Sequence, residues 1–180
     1  MSSKHALVIG GTGMLADVSL WLVETGYQVS IIGRTMEKHR KLVDKASKPE
    51  FITSLAVDYS NYLLLEEQVR KTVEENGPIS LVVSWSPIRT LEIINQVLSE
   101  QKDSWELYQI KGSRRFFDNE PPLSDSSCQQ RSIYLGFTME GNQSRWLTHN
   151  EISQGVITNI KEGNTESIIG ILHPYDQRPS

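Results

Sequence analysis

The chain has 180 residues, 38% of them apolar and 22% charged, which fits one globular domain around a single core. Its formal net charge of −4 and pI of about 5.6 give no electrostatic reason to expect nucleic acid or an anionic membrane as partner. A single cysteine, Cys128, excludes an intrachain disulfide, no run reaches the roughly 20 apolar residues that span a bilayer, and residues 1–4 lead into a short strand without a signal-peptide core, so the expectation is a cytoplasmic protein.

Ala6-Leu-Val-Ile9 is a continuous apolar run ending in Gly10-Gly11, the pattern of a strand covered on both faces. Met14 to Thr25 carries Leu15, Val18, Trp21, Leu22 and Val23 at helical spacing, and Gly26 is placed to close that helix in the left-handed region. Val29-Ser-Ile-Ile32 reads as the second strand, and Met36 to Ala46 as a charged helix. Phe51 to Val57 is the third strand; Ser60 is placed to cap a helix running to Asn76, with Gly77-Pro78 as its stop. Ile79 to Trp85 is the fourth strand, followed by a helix opened by Pro87 and ending near Gln101.

Beyond residue 104 the rhythm changes. Trp105 to Lys111 reads as strand five, and Gly112 to Gln130 as a polar loop containing Pro121-Pro122. Arg131 to Met139 reads as strand six. Thr148-His-Asn-Glu151 matches a capping box before Ile152, Val156, Ile157 and Ile160, with Gly163 as the stop. Ser167 to Leu172 reads as a last strand and 173–180 as a tail.

Alternating strands and helices predict an α/β, Rossmann-type, doubly wound and mostly parallel sheet with helices on both faces, in one domain. Right-handed crossovers order its first strands 3-2-1-4. Residues 1–104 form the cofactor-binding half and 105–172 a shortened second half. The polar stretch before strand six is a poor crossover helix, which leaves the direction of that strand open, an antiparallel edge strand being one outcome. So little material for a substrate lid makes a second subunit, in a homo-oligomer, one way to complete a pocket.

The strongest chemical motif is Gly10-Gly11-Thr12-Gly13-Met14-Leu15-Ala16, G-x-G-x-x-A read from Gly11, between the first strand and first helix. One glycine makes the tight turn, another lets backbone approach a pyrophosphate, and Ala16 lets helix and sheet pack closely. Amides of Thr12 to Leu15 lie at a helix N-terminus, where the dipole favours anions. A dinucleotide is therefore expected. The second strand ends in Ile32-Gly33-Arg34-Thr35, without the Asp or Glu that accepts ribose hydroxyls in NAD sites. Arg34 is suited to a 2′-phosphate, with Thr35 adding a hydroxyl and Lys38 positive potential, so NADP(H) is expected over NAD(H). His39, Arg40 and Lys41 read as a solvated basic helix face.

These residues resemble the short-chain dehydrogenase/reductase superfamily, over roughly residues 5–113 and most specifically at GGTGMLA and IIGRT. The resemblance implies that Asp58 and Tyr59 flank the adenine, that Ser84-Trp85-Ser86-Pro87 runs beside the cofactor ribose, and that Ser113 belongs to the catalytic set. The family's Y-x-x-x-K pair, on one face of a long helix after strand five, does not occur in the sequence. Tyr108 and Lys111 are three apart on a strand, facing opposite sides.

Two functions follow from this pattern. One is an NADP(H)-dependent oxidoreductase on a small carbonyl substrate, with Ser113 or a tyrosine polarising the carbonyl. The other is a non-catalytic NADP(H)-binding sensor or regulatory protein. A different nucleotide in the glycine turn is a third option. Trp85 divides evenly between pocket and core, Arg145 and Trp146 are pocket candidates after strand six, and His149 reads as an exposed first-turn residue. Tyr108 and Tyr134 read as packing residues. No His/Cys/Asp cluster has metal-ligand spacing.

Overall fold

The structure is a computed structural model that describes residues 4–10, 12–118, 120–123 and 127–180. Apolar runs at the predicted places form β1 (His5–Ile9), β2 (Gln28–Gly33), β3 (Ile52–Ala56), β4 (Ile79–Ser84) and β5 (Trp105–Gly112). They continue in β6 (Cys128–Leu135) and, beyond a hairpin, β9 (Glu166–Ile169). The seven strands lie in the order β3-β2-β1-β4-β5-β6-β9, and every pair is parallel. The predicted 3-2-1-4 order is therefore observed.

Helices cover both faces. Alternation along each strand sends Ala6, Val8, Ile31, Val83, Tyr108 and Ile133 to one face, against α1 (Ala16–Glu24), α2 (Met36–Lys45) and α5 (His149–Glu162). Leu7, Ile9, Ile32, Val82 and Leu107 face the other way, against α3 (Tyr62–Asn76) and α4 (Ile88–Leu98). The helix ends follow the sequence chemistry. After α1, the Gly26 amide donates to Val23 O and that of Tyr27 to Leu22 O, with Gly26 at φ +102°. This is a Schellman closure. Thr148 and Glu151 form the capping box of α5, and Gly163 ends it in the left-handed region.

Several expectations are corrected. Asn61, not Ser60, caps α3, its side chain accepting the Leu64 amide at 3.3 Å; Ser60 is tied to Asp58. Strand six is parallel to β5 over eight register pairs rather than an antiparallel edge. A helix is not required for that return. About ten extended residues reach roughly 33 Å, more than an eight-residue strand needs. The described part of residues 113–127 accordingly holds only a 3₁₀ helix, Ser113–Phe117. The apolar run does not continue to Met139 as one strand. It breaks at Gly136, where the Ile171 backbone packs so closely that a Cβ would sit 2.2 Å from its carbonyl oxygen.

The chain then forms an antiparallel hairpin, β7 (Phe137–Glu140) and β8 (Gln143–Trp146). The last strand ends at Ile169, before Gly170 at φ +80°, instead of Leu172. The 173–180 segment is more than a tail. It holds a 3₁₀ helix, Tyr175–Gln177, packed on the aromatic cluster Phe116, Phe117 and Tyr134. β4–α4–β5 and β6–α5–β9 step the same way along the sheet over opposite faces, so these two crossovers have opposite hands. The right-handed rule does not extend to both.

Candidate functional site

The carboxyl ends of β1, β2, β4 and β5 meet where strand order reverses, the usual ligand crevice of such sheets. The glycine turn sits there. Gly10, at φ +86°, ties the turn to β2 through its amide and Ile32 O at 3.1 Å. Its carbonyl accepts the amides of Gly13 and Leu15, each at 3.3 Å. A Cβ on Gly13 would meet nothing within 4 Å, so the turn is open at that point. Gly11 lies outside the described residues. The Leu15 side chain is fully buried in the core and its amide is already used, so it supports the turn from beneath. The Met14 carbonyl accepts the Ser153 hydroxyl at 3.0 Å, which fastens the turn to α5.

At the end of β2 the sequence reading needs a correction. His39 is not solvated; it is 1% exposed, and its Nε2 donates to Gly33 O at 2.8 Å. Gly33 makes this possible. A Cβ there would lie 2.7 Å from Thr12 Oγ1 and 3.3 Å from His39 Nε2. The glycine of IIGRT is thus a packing requirement that lets Thr12 lie against the β2 end. Arg34, Thr35 and Lys38 are exposed just beyond, and neither Arg34 nor Lys38 forms an ion pair among the described residues. Lys41, by contrast, pairs with Glu37 at 3.5 Å. Asp58 faces this group from the end of β3. Two hydrogen bonds from Ser60, at 2.9 and 2.7 Å, hold its carboxyl below the usual range, and the Arg34 charge adds to that.

On the other side of β1, Trp85 follows β4. Its Cβ lies 3.6 Å from the Cβ position of Gly10, and its Cη2 3.8 Å from that of Gly112. The indole therefore stretches from the β1 end to the β5 end and separates two cavities. One, of about 380 Å³, is lined by Tyr59, Trp85, Ser86, Pro87, Gly112 and Arg115. The other, of about 400 Å³, reaches from Met14 and Ser113 to Trp146 and His149. Trp85 is 36% exposed, a pocket wall rather than a core residue. Ser84 lies beneath, fully buried, with its hydroxyl 2.6 Å from that of Ser86.

Ser113 is 7% exposed, and its Oγ is 3.1 Å from the Tyr175 hydroxyl. The sequence reading missed Tyr175 because 62 residues separate the two and no local pattern marks it. Tyr108 and Lys111 do face opposite sides: Tyr108 is core, whereas Lys111 lies 3.5 Å from Glu120 and over the Tyr134 ring. Glu120 is gripped by Arg115 at 2.6 and 2.7 Å, which with Lys111 holds its carboxyl below the usual range. Arg145 is held by Glu140 and Glu151 instead of being free for a ligand. Those bonds bring the Glu151 carboxyl down to about 2. Among the described residues no group of three His, Cys, Asp or Glu is placed to hold a metal ion, and no helix is long and apolar enough to cross a membrane.

No protein-family model matches the sequence, and no curated protein matches it. Solved structures do match. A short-chain type dehydrogenase/reductase from Mycobacterium marinum superposes with a TM-score of 0.71 at 14% identity, over 96% of both chains. An actinorhodin polyketide ketoreductase crystallised with NADPH gives 0.69 at 12%, over 93% of this chain and 97% of that one. An NAD⁺-bound xylitol dehydrogenase gives 0.68 at 12%, with the same coverage. At such identities the likeness is one of architecture: the chain has the short-chain dehydrogenase/reductase fold.

Proposed function

We propose that the protein binds NADP(H) in this crevice and acts as an oxidoreductase on a small carbonyl compound. The observation that carries the reading is the pairing of an open glycine turn with Arg34 and Lys38, neither in an ion pair among the described residues, where an NAD site has an acid. The residues fit the dinucleotide. The open face of Gly13 leaves room for a pyrophosphate over the α1 N-terminus. Arg34, Thr35 and Lys38 take the 2′-phosphate, Asp58 and Tyr59 flank the adenine, and Trp85 and Ser86 wall the nicotinamide half.

When bound, the cofactor supplies the hydride. Ser113 and Tyr175, with hydroxyls already in contact, orient the substrate carbonyl and carry the proton to its oxygen. Trp85 keeps water from the reacting face. The single cysteine suits a reducing, cytoplasmic setting.

A titration of the protein with NADP⁺, NAD⁺, FAD and S-adenosylmethionine tests the binding reading, which predicts saturable heat with NADP⁺ first. NADPH oxidation across an aldehyde, ketone and quinone panel tests catalysis. Tight NADP⁺ binding with background oxidation throughout selects the non-catalytic sensor instead. The missing Tyr/Lys helix after β5 favours that second reading.

A further inference from the structure

The cavity on the hairpin side of Trp85 has a charge pattern that the cofactor reading leaves unused. Its walls are largely apolar, including Leu135, Trp146 and Ile152. Its polar side chains are Ser113, Arg114 and His149, with no carboxylate in the lining. The neighbouring arginines are already engaged: Arg115 with Glu120, and Arg145 with Glu140 and Glu151. Arg114 alone of these three forms no ion pair, among the described residues, and His149 makes no hydrogen bond through its ring. Glu151, two residues along α5 from His149, is held by Arg145. Arg114, in no ion pair among the described residues and beside these apolar walls, suits a carboxylate, because its planar fork matches two oxygens.

We propose that this cavity takes a small organic carboxylate with an apolar tail, held by Arg114 and His149. Its tail lies against Trp146 and Leu135. Ser113 and Arg114 line the same cavity, so a carbonyl at one and a carboxylate at the other fit one small molecule. A 2-oxo acid with an aromatic-sized tail is then the substrate class, an assignment that rests on the oxidoreductase reading above. The volume of about 400 Å³ accommodates such a molecule.

The test is a binding comparison that needs no turnover. 3-Phenylpropanoate and its neutral isostere 3-phenylpropanamide are titrated into the protein, with and without saturating NADP⁺. The acid is expected to bind at least about tenfold tighter than the amide, since a charge-assisted contact is at stake. Arg114→Gln is expected to erase the difference, whereas Arg40→Gln, on the exposed face of α2, keeps it. Arg114 is exposed and in no ion pair among the described residues, so its variant should melt at the parent temperature. Equal affinities for acid and amide, no saturable binding of either, or a preference that survives Arg114→Gln would each overturn the proposal. Failure of NADP⁺ to bind, read in the same titrations, counts against the cofactor reading and leaves the acid–amide comparison to judge the cavity by itself.

Discussion

The stretch from β1 through α4 and the stretch from β5 onward build the same sheet by different means. In the first, each strand is followed by a helix that covers it, and each ligand-facing residue sits at a strand end. In the second, the β5–β6 return holds only a 3₁₀ turn among its described residues, and the crossover into β9 goes over the face opposite α4. Local order suffices to shape the crevice at the glycine turn. The reacting end of the site instead depends on contacts between distant segments, such as Ser113 with Tyr175. The first stretch is therefore expected to govern cofactor affinity and the second to govern turnover.

The largest effect expected from this contrast is catalytic. Tyr175→Phe or Ser113→Ala should lower steady-state NADPH oxidation by about 10²–10³-fold while leaving NADP⁺ affinity within about twofold. Full turnover in Tyr175→Phe would reduce the C-terminal segment to packing.

Next comes a pair of glycines. Gly136→Ala forces a Cβ into the Ile171 backbone and should destabilise the fold by about 3 kcal/mol in urea unfolding. Gly13→Ala meets no atom of the protein, so unfolding should barely change, yet NADP⁺ affinity should fall about tenfold as the methyl enters the pyrophosphate's space. A cofactor affinity unchanged in Gly13→Ala would move the phosphate away from this turn.

The smallest effect lies at the far edge of the regular stretch. His5 Nδ1 donates to Gly77 O at 2.8 Å, and Nε2 accepts from Ser30, whose hydroxyl accepts in turn from Thr72. Burial lowers the His5 pKa from 6.5. The folded state thus binds fewer protons than the unfolded one, so its stability is complete above pH 6.5 and declines as the pH falls below that value. Urea midpoints between pH 7.5 and 5 should show the decline, at no more than about 1.4 kcal/mol per pH unit, and His5→Gln should flatten it.

What the sequence revealed follows the same division. The glycine turn between β1 and α1, the 3-2-1-4 order and the capping box were all legible, because apolar runs, caps and strand ends are local signals. His39 was misread because its neighbours form a charge run; its burial comes from the absent side chain of Gly33, six residues away. The break at Gly136 was hidden because its reason, the Ile171 backbone, lies in another segment. The direction of strand six was open in the sequence because the polar stretch before it carries no helical pattern to mark a parallel return. Tyr175 left no trace in any local pattern.

The central claim is that the Arg34 end of the crevice holds a 2′-phosphate. Calorimetric titration of the parent and Arg34→Ala with NADP⁺ and NAD⁺ tests it most directly. The account predicts that the parent prefers NADP⁺ and that the variant loses about 10–100-fold in NADP⁺ affinity with little change for NAD⁺. Equal losses for the two cofactors, or a parent that binds NAD⁺ as tightly as NADP⁺, would contradict it.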